Sequence, residues 1–166
     1  MKKSRRIALI ALNIALAFVL SFLESLIPIN FGIPGLKVGL ANLVVVAAVY
    51  MLPKRDAFFI SMVRILIAGL VFSGAFSLLY SFAGGILSFA VMLLAQKNKH
   101  LSIVGVSILG AAVHNVGQII VAALVMQTYR IVYYLPVLLI SGAAAGAAVG
   151  LISGIIVNRL ANIKVD

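Results

Sequence analysis

Six long apolar runs separated by short polar joints set the pattern along the chain. They occupy about residues 7–27, 37–52, 57–73, 76–95, 103–126 and 134–157. A helix needs roughly 20 apolar residues to cross hydrocarbon, with a range of about 17 to 25. The pattern therefore predicts an all-α integral membrane protein of six transmembrane helices in a single domain over 1–166. The second and third runs are the shortest, and a tilted or partly re-entrant course stays open for both. Residues 28–36 read PINFGIPGL. Two prolines and two glycines there cannot continue a helix, so this stretch is expected as an external loop, a candidate lid over a site.

The cations orient the bundle. With the N-terminus inside, Lys2, Lys3, Arg5, Arg6, Lys54, Arg55, Lys97, Lys99, Arg159 and Lys164 fall on the cytoplasmic side. Lys37 and Arg130 fall outside, and Arg64 lies within a span. Ten against two is a strong positive-inside bias. Both termini are expected in the cytoplasm, and the protein in the plasma membrane. The start, a basic stretch before an apolar run, also matches a signal peptide. Its apolar run is too long for that, and more runs follow, so it is read as a retained first span.

Composition sharpens this reading. Hydrophobic residues make up 64% of the 166 positions and charged residues 10%, against about 25% charged in soluble domains. With a mean hydropathy of +1.27, an ordinary soluble enzyme and a disordered chain are both excluded. The net charge of +10 does not indicate nucleic acid, because the cations lie between apolar runs and form no basic patch with stacking aromatics. There is no cysteine, which removes disulfides, thiolate metal sites and cysteine nucleophiles.

Small residues mark two helix faces. Gly142, Gly146, Gly150 and Gly154 form three successive GxxxG steps in the sixth span, a surface that lets another backbone come close. Packing within the monomer, a docking face for a partner and a sliding face all remain open for it. In the first span, successive residues turn by about 100°. With Asn13 as origin, Glu24 and Ala17 lie at about 20° and 40°, and Ala11, Ala15 and Ala8 at about 160°, 200° and 220°. A polar stripe therefore faces one way and an alanine stripe the other.

Ionisable groups at membrane depth cost about 2.5 kcal/mol or more and mark candidate functional sites. Glu24, Arg64 and His114 are such groups. At about 1.5 Å per residue, Arg64 lies roughly 10 Å from the inner end, His114 about 16 Å and Glu24 about 25 Å. The height difference argues against a direct Glu24–Arg64 ion pair. Arg64 is expected to meet Asn13 and Asn115, and Glu24 to meet Lys37 or Asn42. His114, Asn115 and Gln118 share a face of the fifth span with Ala111 and Ala122, and three polar side chains at that depth do not face lipid. They read either as a packing network or as the wall of a ligand cavity. Ser77, Tyr80 and Ser81 are candidates to join that wall, with Gly84 and Gly85 allowing close approach or a kink. Arg130 and the tyrosines Tyr129, Tyr133 and Tyr134 read as an interfacial belt.

Much chemistry is missing. There is no GxxxxGK[ST], no aspartate cluster for Mg²⁺, and no HExxH. Two histidines are too few for a zinc site. No catalytic residue, metal or cofactor is expected. Binding, transport or scaffolding remains.

The stretches IPGLKVGLANLVVV (33–46), MVRILIAGLVFSG (62–74), SFAGGILSF (81–89) and GAAVHNVGQIIVAALV (110–125) together resemble the bacterial Gx transporter family, also called heptaprenyl diphosphate synthase component I. The resemblance runs from about Leu26 to Gly154, and KVGLAN with the later HNVGQ is its most specific part. That family in turn looks like the substrate-binding S components of energy-coupling-factor importers. The likeness implies a six-helix bundle with an outward-open site capped by the loop after the first helix. It also implies an AxxxA face that docks a transmembrane coupling subunit, and two cytoplasmic ATPases that drive the cycle. Ala8, Ala11 and Ala15 correspond to that docking face. The substrate implied is a vitamin-like or isoprenoid- or quinone-related molecule. Candidate substrate contacts are Glu24, Lys37, Asn42, Arg64, Tyr80, His114, Asn115 and Gln118, and the cations among them suit an anionic or amphipathic ligand. The synthase name implies a noncatalytic membrane partner of a prenyl-elongating subunit instead. A standalone proton-coupled carrier using Glu24 or His114 is a third reading.

Overall fold

The computed structural model describes residues 3–27 and 39–161. Among these the chain is helical, with no strand: α1 (Lys3–Leu26), α2 (Asn42–Met51), α3 (Lys54–Ala68), α4 (Gly74–Ala95), α5 (Ile103–Val125) and α6 (Leu135–Ala161). A π-helical turn, Gly69–Ser73, extends α3, and a 3-10 helix, Tyr129–Tyr134, leads into α6. Helices α1, α4 and α5, and the segment Tyr129–Ala161, are long and apolar enough to cross a membrane. Large apolar side chains such as Leu12, Phe76, Leu124 and Ile140 point outward, as they do where the surroundings are lipid.

The second helix departs from the sequence pattern. Instead of starting near residue 37 it starts at Asn42 and has 10 residues, a length of about 15 Å, about half a hydrocarbon thickness. The cause is the turn before it. Gly39 takes a left-handed φ of +76°, and Asn42 N–H and Leu43 N–H donate to the carbonyls of Gly39 and Leu40. Backbone of this kind at membrane depth is tolerated where protein buries it or a cavity adjoins it. Val44 to Val49 are buried without a break, the mark of a helix that is apolar on all sides and enclosed on all sides.

This short helix is the centre of the core. Val44, Val45, Val46, Ala48 and Val49 pack with Ala17 of α1, Ala57 and Ile60 of α3, Phe89 and Met92 of α4, Val106 of α5 and Val149 of α6. Two polar ties hold it. Ser153 Oγ donates to the Leu43 carbonyl at 3.2 Å, and Gln96 Nε2 donates to the Val49 carbonyl at 3.0 Å. The second satisfies one of the carbonyls that a helix C-terminus leaves open.

The α6 glycines pack against α5 of the same chain, antiparallel. A Cβ at Gly146 would lie 2.9 Å from Ile108 Cα, and one at Gly150 2.7 Å from Val104 Cα. Gly142 adjoins Asn115, while Gly154 has only Ile103 Cβ, at 4.0 Å. Helix α4 approaches α5 equally closely, with Gly117 against Gly84.

Contacts across the bundle bring charge to one end. Arg6 of α1 bonds Asp56 of α3, the end of α4 meets the end of α2, and the end of α6 meets the start of α5. Lys3, Arg5, Lys54, Arg55, Lys97, Lys99 and Arg159 belong to these same helix ends. Arg130, in the 3-10 helix, belongs to the other.

Candidate functional site: a polar cavity inside the bundle

A cavity of about 470 Å³ runs between the helices, within the size range of small-molecule sites. Each helix contributes through one face. From α1 come Ser21 and Glu24; from the turn and start of α2, Gly39 and Asn42; from α3 and its π turn, Arg64, Gly69 and Phe72. Ser81 and Ser88 come from α4, His114, Asn115 and Gln118 from α5, and Ser141 and Gly142 from α6. The glycines matter because they keep the walls thin. At Gly84 an added Cβ would meet the His114 carbonyl at 2.6 Å and Gln118 Cγ at 3.0 Å, so a larger residue would displace two of the polar lining residues.

Six of the residues expected at a site therefore share one cavity: Glu24, Asn42, Arg64, His114, Asn115 and Gln118. Lys37 and the loop 28–36 lie outside the described residues. Tyr80 does not line the cavity, and neither does Ser77; of that trio only Ser81 does. The reason is angular: Ser81, Ser88 and Met92 form the lining stripe of α4, and Tyr80 is about 100° away from Ser81.

The pairing differs from expectation. Arg64 meets neither asparagine. Asn13 turns back on its own helix and donates to the Leu9 carbonyl at 2.8 Å. Asn115 Nδ2 donates to the Leu138 carbonyl at 2.5 Å, across to the first turn of α6. Among the described residues the Arg64 guanidinium has no hydrogen-bond partner, and its Nε is buried without one. Short polar side chains at membrane depth bond the spare lone pair of a nearby helix carbonyl, on their own helix or the adjacent one, before reaching a distant arginine.

Among the described residues Glu24 finds backbone rather than the Asn42 side chain, and its other expected partner, Lys37, lies outside them. Its Oε1 accepts from Gly39 N–H at 2.5 Å, a charge-assisted bond that pins the turn before α2 to the upper part of α1. Glu24 and Arg64 approach no closer than 4 Å and form no ion pair. Both side chains nevertheless reach the same cavity, and the Glu24 charge acts on the Arg64 guanidinium.

Several lining residues escaped the sequence reading. Ser107 continues the His114–Gln118 face two turns down, and Ser88 continues the Ser81 face two turns down. A seven-residue step finds both. Phe72 had no such signal: it depends on the π turn, and it stacks on Phe18 at 5.5 Å and lies 6.1 Å from Phe22. Leu138, Thr128, Arg130 and Tyr134 border a second, smaller and more apolar cavity of about 330 Å³.

The Ala8, Ala11 and Ala15 side of α1 is exposed along its length, whereas Ala17, on the opposite side, is buried. No described part of the chain covers the alanine stripe.

Fold and cavity together define a multi-pass helical membrane protein with a partly open chamber that carries polar and charged side chains. The model of the family described as heptaprenyl diphosphate synthase component I matches residues 14–156, and the chain belongs to that family. Comparison with curated proteins and with solved structures returns no match. The family's name describes one component of a synthase rather than the whole enzyme.

Proposed function

We propose that the chain is the substrate-capturing membrane subunit of an importer of the energy-coupling-factor type. It spans the plasma membrane six times with both termini in the cytoplasm, and it receives a small molecule from the outer side. One observation carries the reading: Arg64 lines a chamber of about 470 Å³, and among the described residues its guanidinium has no hydrogen-bond partner. A charge at this depth costs about 2.5 kcal/mol or more unless compensated, and a bound ligand is the compensation that such a chamber permits. No nucleotide-binding motif is present in the sequence, so the energy comes from partners. A transmembrane coupling subunit docks on Ala8, Ala11 and Ala15, and two cytoplasmic ATPases work through it. The ligand can shift the equilibrium only by binding one state more tightly than another.

A second reading has its own support, the family name itself. On that reading the chain is a noncatalytic membrane component that holds a prenyl-elongating subunit at the bilayer.

One experiment separates them: purification of the tagged full-length chain from its host in mild detergent, with mass spectrometry of proteins and extracted small molecules. Recovery of a membrane coupling subunit with ATPases supports the importer. Recovery of a prenyl diphosphate synthase without ATPases overturns it in favour of the second reading.

A further inference from the structure

The cavity holds two opposite charges that form no direct ion pair. Glu24 and Arg64 both line it, yet they stay more than 4 Å apart. Glu24 uses Oε1 to accept from Gly39 N–H, and among the described residues nothing donates to Oε2. Arg64 makes no hydrogen bond to any described residue. Its guanidinium is a planar fork that matches a carboxylate or phosphate through two parallel bonds. A monoanion would satisfy Arg64 and leave the carboxylate of Glu24 only partly compensated. A monocation would do the reverse. A ligand carrying both charges satisfies both groups at once.

The aromatic lining favours the same orientation. Phe72 borders the cavity and is braced by Phe18 and Phe22. Phe22 precedes Glu24 by two residues on α1, a rise of about 3 Å, and Phe72 and Glu24 line the same cavity. An aromatic ring in the same cavity as a carboxylate suits a cationic nitrogen, because the ring face carries negative potential. The side-chain amides of Asn42 and Gln118, which both donate and accept, complete a chamber adapted to a dipolar solute.

We propose that the cavity binds a zwitterion, its cationic nitrogen at Glu24 and Phe72 and its anionic group at Arg64. This rests on the substrate-capture reading and narrows the ligand from any anion or amphiphile to molecules bearing both charges.

The test uses the full-length chain purified in detergent and three matched probe series. These are ω-amino acids of two to six carbons, the carboxylates of the same lengths and the alkylammonium ions of the same lengths. Binding is read by native mass spectrometry and by the rise in unfolding temperature, since a ligand of the folded state stabilises it. At least one ω-amino acid is expected to bind about tenfold or more tightly than both of its matched single-charge probes. Arg64→Gln is expected to remove its advantage over the alkylammonium ion, and Glu24→Gln its advantage over the carboxylate. Arg64→Lys and Glu24→Asp retain the charges and are expected to keep part of the preference, which guards against misfolding of the neutral variants. A carboxylate that binds as tightly as the amino acid, unaffected by Glu24→Gln, overturns the proposal and leaves substrate capture standing. Binding of none of the probes also overturns it. Substrate capture is judged separately, by whether the purified chain yields any bound small molecule on extraction, and a chain that yields none and binds no probe fails both.

Discussion

Arg6 holds Asp56 at two points, Nε to Oδ2 at 2.8 Å and Nη2 to Oδ1 at 2.5 Å, and so joins the first turn of α1 to the first turn of α3. The carboxylate is nearly buried, at 5% side-chain exposure, while the guanidinium is 48% exposed. Asp56 also sits in the first turn of its own helix, where negative charge meets the positive end of the helix dipole. Helix α1 has little of its surface inside the bundle, so this pair is its polar anchor at the charged end.

The anchor makes α1 sensitive to acid. The hydrogen bond from Arg6 holds the Asp56 carboxyl below its ordinary value, and the same bond raises that of Arg6. A carboxyl lowered on folding adds stability that is complete above its ordinary value and is lost as pH falls through the lowered one. The unfolding temperature of the wild type in detergent is expected to fall as pH drops from 7 towards 3. Asp56→Asn is expected to start lower and lack that part of the fall. Identical pH profiles for the two proteins would show that the pair does not anchor the helix.

The α6 glycines are expected to be unequal. Gly150 has backbone where a Cβ would go, 2.7 Å away at Val104 Cα, and Gly154 has ordinary contact at 4.0 Å. Gly150→Ala should destabilise by about 1–3 kcal/mol, the usual cost of overpacking. Gly154→Ala should stay within about 0.5 kcal/mol of wild type. Thermal unfolding of the two variants side by side checks this, and equal effects would contradict the close α5–α6 approach at Gly150.

The exposed stripe on α1 gives a test without a folding penalty. Nothing described in the chain touches the outer side of Ala11 and Ala15. The double change Ala11→Leu, Ala15→Leu should leave the unfolding temperature and ligand binding unchanged, because both side chains point away from core and cavity. Co-purification of a membrane coupling subunit should be lost, since small residues are what allow helices to approach closely in lipid. Retained assembly and transport would remove these alanines from the docking role.

The end of α5 carries a strained residue. Gln127 has φ +48°, and Thr128 N–H donates to the Ala123 carbonyl at 3.2 Å, a helix-ending turn that usually has glycine at its left-handed position. Gln127→Gly is expected to stabilise the chain by about 1 kcal/mol by relieving the contact of Cβ with backbone. A lower unfolding temperature would show that the glutamine side chain contributes more than the strain costs.

Periodicity and charge placement were enough to read α1, α4, α5 and α6 to within a few residues, because apolar length and flanking cations act locally. The shared face of His114, Asn115 and Gln118 was legible for the same reason: three- and four-residue spacing places side chains together on any helix. The absence of direct Glu24–Arg64 pairing followed from counting rise per residue.

What the chain could not reveal from spacing alone was which groups would meet across helices. Asn13 and Asn115 turn to the carbonyls of Leu9 and Leu138, not to Arg64, because partners on a neighbouring helix depend on its rotation and depth. The halving of α2 hangs on one left-handed glycine, Gly39, held by Glu24 fifteen residues earlier. Phe72 enters the cavity only because a π turn re-aims the end of α3. Local sequence determined the helices and the polar stripes they carry. Tertiary packing decided which stripes face one chamber, and among the described residues it left Arg64 there without a hydrogen-bond partner, since only the assembled helices settle which hydrogen bonds each polar group can reach.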